Sequence, residues 1–185
     1  GEHILIATGS SPIVLPGLDN DGEHIISSTE ALALDAVPEK MVVIGAGAIG
    51  LELGSVWNRL GADVTVVEFL DRITPAMDRE LSDGLQKLLE KQGLRFQFET
   101  RAESATVKDG KVTVSLKQGD ASSEVVCDRL LVAVGRKPNT DGLGADAVGL
   151  EVNDRGFIPV NEKFETNLPG VYAIGDVIPG PMLAH

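Results

Sequence analysis

Gly45, Gly47 and Gly50 stand in the order Gly-x-Gly-x-x-Gly, and Glu68 follows Gly50 by 18 residues. That set of residues suits the grip on a pyrophosphate-linked dinucleotide. Gly45 permits a tight turn, Gly47 lets the backbone approach a pyrophosphate with no Cβ in the way, and Gly50 lets a helix pack close to its strands. A helix opening at this point presents unpaired N–H donors and a positive dipole end to the phosphates. The carboxylate of Glu68 is placed to accept both adenosine ribose hydroxyls, whereas a 2′-phosphate would meet its negative charge, so NAD is expected over NADP. A hydrogen bond to a charged group is worth roughly 1.5–3 kcal/mol, so losing one weakens binding by about 10–150-fold. Phe69 and Leu70 offer a 2′-phosphate no cation, although Arg72 is close in sequence.

Three glycines alone are weak evidence, and the weight comes from the elements around them. Residues 41–44 form a buried apolar strand, the glycines follow at once, a helical pattern runs to Leu60, and Gly61 stops it. Residues 63–68 supply the second strand, which makes a βαβ unit of about 28 residues. A second amphipathic helix is expected over 78–92, with Leu81, Leu85, Leu88 and Leu89 on one face, and a third strand over 94–99. The alternation then changes. Segments 105–108, 111–116 and 124–127 read as an antiparallel meander that replaces a helix as the crossover, and the continuous apolar run 129–134 returns to the parallel sheet.

Outside this unit lie short apolar runs. Residues 4–7 end at Thr8-Gly9-Ser10-Ser11-Pro12, 171–174 end at Gly175-Asp176, and a further strand is expected over 156–160. Residues 28–30 lead into a short helix expected over 31–34. The fold class is therefore α/β: a Rossmann-type domain with a parallel sheet and an antiparallel meander crossover, accompanied by partial segments of another domain.

The chain has 185 residues, 43% hydrophobic and 24% charged, within the globular range. Its net charge of −12 makes nucleic acid and anionic membrane surfaces poor partners, since both reward clustered Lys and Arg. No apolar run reaches the roughly 20 residues that span a bilayer. The single cysteine, Cys127, sits in an apolar stretch and reads as a small buried hydrophobe, and the three histidines lack metal-ligand spacing, so no metal site is expected. The opening Gly1-Glu2-His3-Ile4 has no initiator Met, and the chain is expected to be a segment of a longer protein.

The run from Gly45 through Leu51, Glu52 and Trp57, the strand 64–68, the stretch Gly135-Arg136-Lys137-Pro138-Asn139 and the stretch Tyr172-Ala173-Ile174-Gly175-Asp176-Val177 together resemble the FAD- and NAD-linked pyridine nucleotide-disulfide oxidoreductases. Within that family the segment 52–57 and the tail Gly180-Pro181-Met182-Leu183-Ala184-His185 are most similar to the dihydrolipoamide dehydrogenase branch. The resemblance implies a cofactor-binding loop of Gly45, Ala46, Gly47, Ala48, Ile49, Gly50 and Leu51, with Glu52 toward the nicotinamide and flavin, Glu68 on the ribose, the backbone at Ala102 bordering the adenine, and Gly135 beside the nicotinamide half. It further implies flavin positions at Thr8, Gly9, Ser10 and Asp176, with Met182, Leu183, Ala184 and His185 along the flavin.

On this resemblance, residues 1–17 end one FAD-domain segment, 18–146 form the NAD domain and 147–185 begin a second FAD-domain segment. NAD would be held here and FAD only in the parent, where a redox disulfide passes electrons from dihydrolipoamide, carried on an acyltransferase lipoyl domain, to FAD and then NAD. The parent would be a homodimer in the cytoplasm, or in the mitochondrial matrix of a eukaryote. No catalytic residue is expected in this chain: a glycine fingerprint for FAD, a Cys-x4-Cys disulfide and a His-Glu base pair are all absent from it. Ala48 is smaller than its counterpart in many relatives, which implies a more open nicotinamide pocket. Two other readings stay open: another member of the class, such as an NADH oxidase or a mercuric or glutathione reductase, and a non-catalytic module that senses NAD.

Overall fold

A computed structural model describes residues 1–183. In chain order the strands and helices are β1 (Ile4–Ile6), β2 (Ser10–Pro12), β3 (Ile25–Ile26), α1 (Ser28–Ala31), β4 (Lys40–Ile44), α2 (Ala48–Leu60), β5 (Asp63–Val67) and α3 (Arg79–Lys91). There follow β6 (Arg95–Gln97), β7 (Thr100–Lys108), β8 (Lys111–Gln118), β9 (Ala121–Cys127), β10 (Arg129–Val132), β11 (Arg136–Pro138), α4 (Ala145–Val148) and β12 (Val171–Ala173), before a single 3-10 turn at Gly175–Val177. The chain divides into two compact units, Val14–Gly135 and a second made of Gly1–Ile13 with Arg136–His185. The boundary is not the expected 18–146: residues 136–138 belong to the smaller unit because β11 pairs antiparallel with β2.

The larger unit is built on a five-stranded parallel sheet ordered β3-β10-β4-β5-β6. Each central strand alternates between two buried faces, as a period of two requires. Met41, Val43, Val64, Val66 and Leu131 pack toward Leu51 and Trp57 of α2 and Leu89 of α3. Val42, Ile44, Val67, Leu130 and Val132 pack toward Val112, Val114 and Leu116 of β8. Burial on both faces explains why these strands read as continuous apolar runs. The β7-β8-β9 meander thus does for one face what helices do for the other, and carries the chain from the β6 edge back across to β10.

Several boundaries differ from the sequence expectation. Helix α1 spans Ser28–Ala31 rather than 31–34, because Ser27 and Glu30 form a reciprocal capping box that starts it early. β3, only two residues long, joins the sheet as an unforeseen fifth strand beside β10. The meander strands are longer than expected, and residues 156–160 form no strand, although Ile158 is fully buried and its N–H donates to Val177 O. The expected leucine face of α3 is only half buried: Leu89 packs inward, whereas Leu81 and Leu88 are exposed and Ser82 takes a place in the interior.

In the smaller unit, β1 and β12 pair in parallel with Ile4 opposite Val171 and Ile6 opposite Ala173. Ile158, Ala173 and Val177 centre a small core beneath them, against which Ile6 packs.

Candidate functional site

Strand β4 ends in the turn Gly45-Ala46-Gly47, which feeds α2. Gly45 has φ +103, and a Cβ there would stand 2.5 Å from the Ala133 carbonyl oxygen; a Cβ on Gly50 would stand 2.2 Å from the carbonyl oxygen of Gly45. Both glycines are therefore required by the protein's own backbone. Gly47 differs: its φ of −77 is ordinary and a Cβ would meet nothing within 4 Å. Nothing in the fold itself calls for glycine at this position. Gly47 is the N-cap of α2 and supplies no side-chain cap, so the first-turn N–H groups of Ala48 and Ile49 point out of the helix without intrahelical partners. Among the described residues the Gly47 N–H also has no acceptor. Open space beside unpaired donors at the positive end of a 13-residue helix fits a pyrophosphate.

Glu68, half-buried just past β5, is tied to this turn. Its Oε2 accepts the Ala46 N–H at 2.7 Å and its Oε1 accepts the Leu70 N–H at 2.9 Å. Each carboxylate oxygen keeps a lone pair, which leaves room for a pair of vicinal hydroxyls. Phe69 and Leu70 are exposed beside it, and Arg72 is turned to its own loop, donating to Pro75 O at 2.8 Å.

Strands β4 and β10 are hydrogen-bonded neighbours in the parallel sheet, and ligands of open α/β sheets bind outside the carboxyl ends of such strands. Gly135 lies exposed just past β10 with φ +123. Glu52 is exposed on α2, and Leu51 is buried in the core beneath. Ala102 sits at the register shift in β7, its side chain packed on the meander-side core.

The other expected positions belong to the smaller unit. Ser10 Oγ donates to Asp176 Oδ2 at 2.5 Å, Arg136 Nε donates to Ser10 Oγ at 2.6 Å, and Arg136 stands 3.7 Å from the same carboxylate oxygen. Thr8 Oγ1 donates to Asn139 O at 2.6 Å, Asn139 Nδ2 donates back to Thr8 O at 3.0 Å, and the Asn139 N–H donates to Gly9 O. The stretch Thr8-Gly9-Ser10 is thus clamped to Arg136 and Asn139, and the second oxygen of Asp176 stays free of these bonds. Met182 is half-buried and Leu183 exposed; Ala184 and His185 lie outside the described residues.

Compared with known families, residues 1–185 match the model described as pyridine nucleotide-disulphide oxidoreductase. The chain belongs to that family. It is 53% identical over 188 residues to the mitochondrial dihydrolipoyl dehydrogenases of dog and of human, covering all of this chain and 37% of theirs. Among solved structures it is similar to LpdA of Mycobacterium tuberculosis, with a TM-score of 0.89 and 33% identity over 98% of this chain and 39% of that one. The Escherichia coli flavoprotein disulfide reductase RclA matches with a TM-score of 0.87 and 31% identity over 99% of this chain and 41% of that one. The chain thus spans well under half the length of the curated relatives it matches.

Three features of the chain escaped the sequence reading. Arg136 had no role assigned, yet it braces Ser10 and Asp176; Asn139 clamps Thr8; and Trp57 donates Nε1–H to Ala31 O at 3.1 Å, pinning α1 to α2. An Arg four positions and an Asn seven positions past the end of β10 carry no local signal of a partner more than 120 residues away. Cys127 is buried, and burial pushes its thiol up to about 11. Among the described residues no group of three or more His, Cys, Asp or Glu side chains gathers as a metal site, and no helix is long and apolar enough to cross a membrane.

Proposed function

We propose that the Val14–Gly135 unit binds NAD(H) and is the nicotinamide-nucleotide part of a flavin-dependent dihydrolipoamide dehydrogenase. Gly47 carries the reading: the fold leaves space for a Cβ there, yet glycine stands at the open mouth of a helix whose first donors are unpaired. The α2 N-terminus, with Gly45, Ala46, Gly47, Ala48, Ile49 and Gly50, holds the pyrophosphate. Glu68 accepts the ribose hydroxyls, the Ala102 backbone borders the adenine, and Gly135 with Glu52 flanks the nicotinamide.

In the longer protein, Thr8, Gly9, Ser10 and Asp176 hold the flavin chain and the segment 182–185 runs along it. Bound flavin and nicotinamide supply the hydride chemistry, and the polypeptide's share is binding and orientation. Dihydrolipoamide on an acyltransferase lipoyl domain is the electron source, and the whole enzyme works as a homodimer wherever the 2-oxoacid complexes reside, in cytoplasm or mitochondrial matrix. Support for this branch over a general disulfide reductase is the 53% identity to relatives named dihydrolipoyl dehydrogenase, against 31% to RclA.

Calorimetric titration of the 185-residue chain with NADH and NADPH tests the nucleotide assignment. NADH is expected to bind more tightly; equal affinities, or no binding of either, overturn it. For the full-length gene product, NAD-linked oxidation of dihydrolipoamide is the corresponding assay, and its absence overturns the branch.

A further inference from the structure

Thr74 has φ +41, a left-handed conformation that a β-branched residue rarely adopts, and the following Pro75 should drive it further toward an extended backbone. It is also buried, with a relative exposure of 7%. Something must hold it there. Its Oγ1 lies 2.9 Å from Ser82 Oγ, and the Ser82 hydroxyl also reaches the Thr74 carbonyl at 3.3 Å. Ser82 is the polar residue that occupies the interior side of α3, where the helical pattern expected leucine, and it is 1% exposed. A strained threonine and a serine out of pattern therefore meet in one buried contact.

The strained backbone has a target. In this conformation the Thr74 N–H donates to the carbonyl of Ala46 at 2.9 Å, while the Ala46 N–H donates to Glu68 at 2.7 Å. Ala46, fully buried between Gly45 and Gly47, is thereby gripped at both its N–H and its C=O. Those two bonds fix the peptide planes on either side of Ala46, and so fix how the turn is presented at the mouth of α2.

We propose that Thr74 is a positioning residue for the phosphate-binding turn, held in its left-handed conformation by Ser82 so that its N–H locks Ala46; this rests on the NAD(H) reading above. Both side chains are buried, so their role is exerted through the backbone of the turn. Backbone strain of this kind persists only where neighbouring structure over-determines it, and it concentrates at ligand clamps. Without the hydroxyl contact, Thr74 relaxes toward the extended region that a residue before proline prefers, its N–H turns from Ala46, and the turn keeps only the Glu68 anchor.

The test compares Thr74→Val, which keeps the branched shape and removes the hydroxyl, with Thr74→Ser, which restores the hydroxyl. In the nucleotide-free 185-residue chain, amide exchange at Ala46 is expected to speed up at least several-fold in Thr74→Val and to return to the parent rate in Thr74→Ser. NADH affinity follows the same order, falling about tenfold in Thr74→Val, roughly one hydrogen bond's worth. Circular dichroism melting identifies a variant that merely unfolds; Ser82→Ala then serves as the second variant, cutting the same contact from the α3 side. Ala46 exchange and NADH affinity both unchanged in a folded Thr74→Val or Ser82→Ala chain overturn the proposal. A parent chain that binds no NADH overturns the nucleotide reading itself, and this proposal with it, a result seen before any variant is made.

Discussion

Glu68 Oε2 accepts the backbone N–H of Ala46 at 2.7 Å, so the carboxylate just past β5 also anchors the glycine turn just past β4. The proposed ribose and pyrophosphate sites are therefore joined by a hydrogen bond. Glu68→Ala is expected to weaken NADH binding by about 10–100-fold, since it removes charged acceptors for the ribose and one anchor of the turn. NADPH, which loses a repulsion at the same time, should be weakened less. Calorimetry with both nucleotides reads the change, and a variant that keeps the parent's preference for NADH contradicts the assignment.

The fingerprint glycines should separate by experiment into structural and ligand-facing ones. Gly50→Ala drives a Cβ to 2.2 Å from a backbone oxygen and should lower stability by about 1–3 kcal/mol through overpacking. Gly47→Ala meets open space at an ordinary φ, so its melting temperature should stay within a degree or two of the parent while NADH affinity drops at least tenfold. Thermal melts and nucleotide titrations on the two variants decide the matter. A Gly47→Ala chain that binds NADH normally leaves the glycine without a ligand to explain it.

The parallel core was legible because strands buried on both faces announce themselves as unbroken runs such as Met41-Val42-Val43-Ile44, and because Gly61 with φ +114 stops α2 where the pattern stopped. What stayed illegible were pairings whose partners lie far off in sequence. The segment at Ser10–Pro12 reads as a turn, and only its antiparallel partner at Arg136–Pro138 makes it a strand. That same pairing moves the unit boundary from 146 to 135. The leucine face of α3 misled for a different reason. The helix is rotated so that Ser82 and Leu89 face inward, and the serine is there for Thr74 rather than for the core.

Cys127 should be inert in the folded chain. Burial raises its thiol to about 11, so the thiolate fraction near pH 8 is of the order of one in a thousand, and its sulfur is enclosed beside the meander. A disulfide-exchange reagent at pH 8 is expected to leave it unmodified over the time in which one equivalent reacts in denaturant. Rapid stoichiometric labelling without denaturant would show that the meander opens readily.

Acid should destabilise the larger unit through identifiable carboxylates. Burial alone would raise the Asp128 carboxyl, but the Lys111 ammonium and the Lys40 N–H outweigh it and hold the group below its usual range. For Asp21, burial again opposes, and backbone donors from Glu23, Ile25 and His24 prevail. Glu30 is lowered chiefly by the Ser27 hydroxyl. A carboxylate depressed in the folded state stabilises above its unfolded value, and that stability is lost as pH falls through the folded value. Stability is thus expected to hold down to about pH 4 and to decline below it. Denaturant melts from pH 6 to 2.5 should show a shallower acid decline for Asp128→Asn, and an identical decline would remove Asp128 from the account.

The β1–β12 pair is a two-stranded sheet, and Ile4 and Leu5 stand 58% and 59% exposed on it. Such a ribbon is marginal by itself, and a free edge of apolar residues is a template for pairing with another chain. Lys substituted on an edge strand blocks that pairing without touching the strand's own partner, because its side chain must stay in water. The 185-residue chain is therefore expected to self-associate as its concentration rises, and Leu5→Lys should shift the onset to at least several-fold higher concentration. Leu5 lies outside the larger unit, so the variant's NADH affinity should match the parent's, which separates loss of association from loss of folding. Sedimentation velocity over a hundredfold range of concentration is the measurement. A parent chain that stays monomeric throughout would mean that the exposed edge is protected within the chain itself.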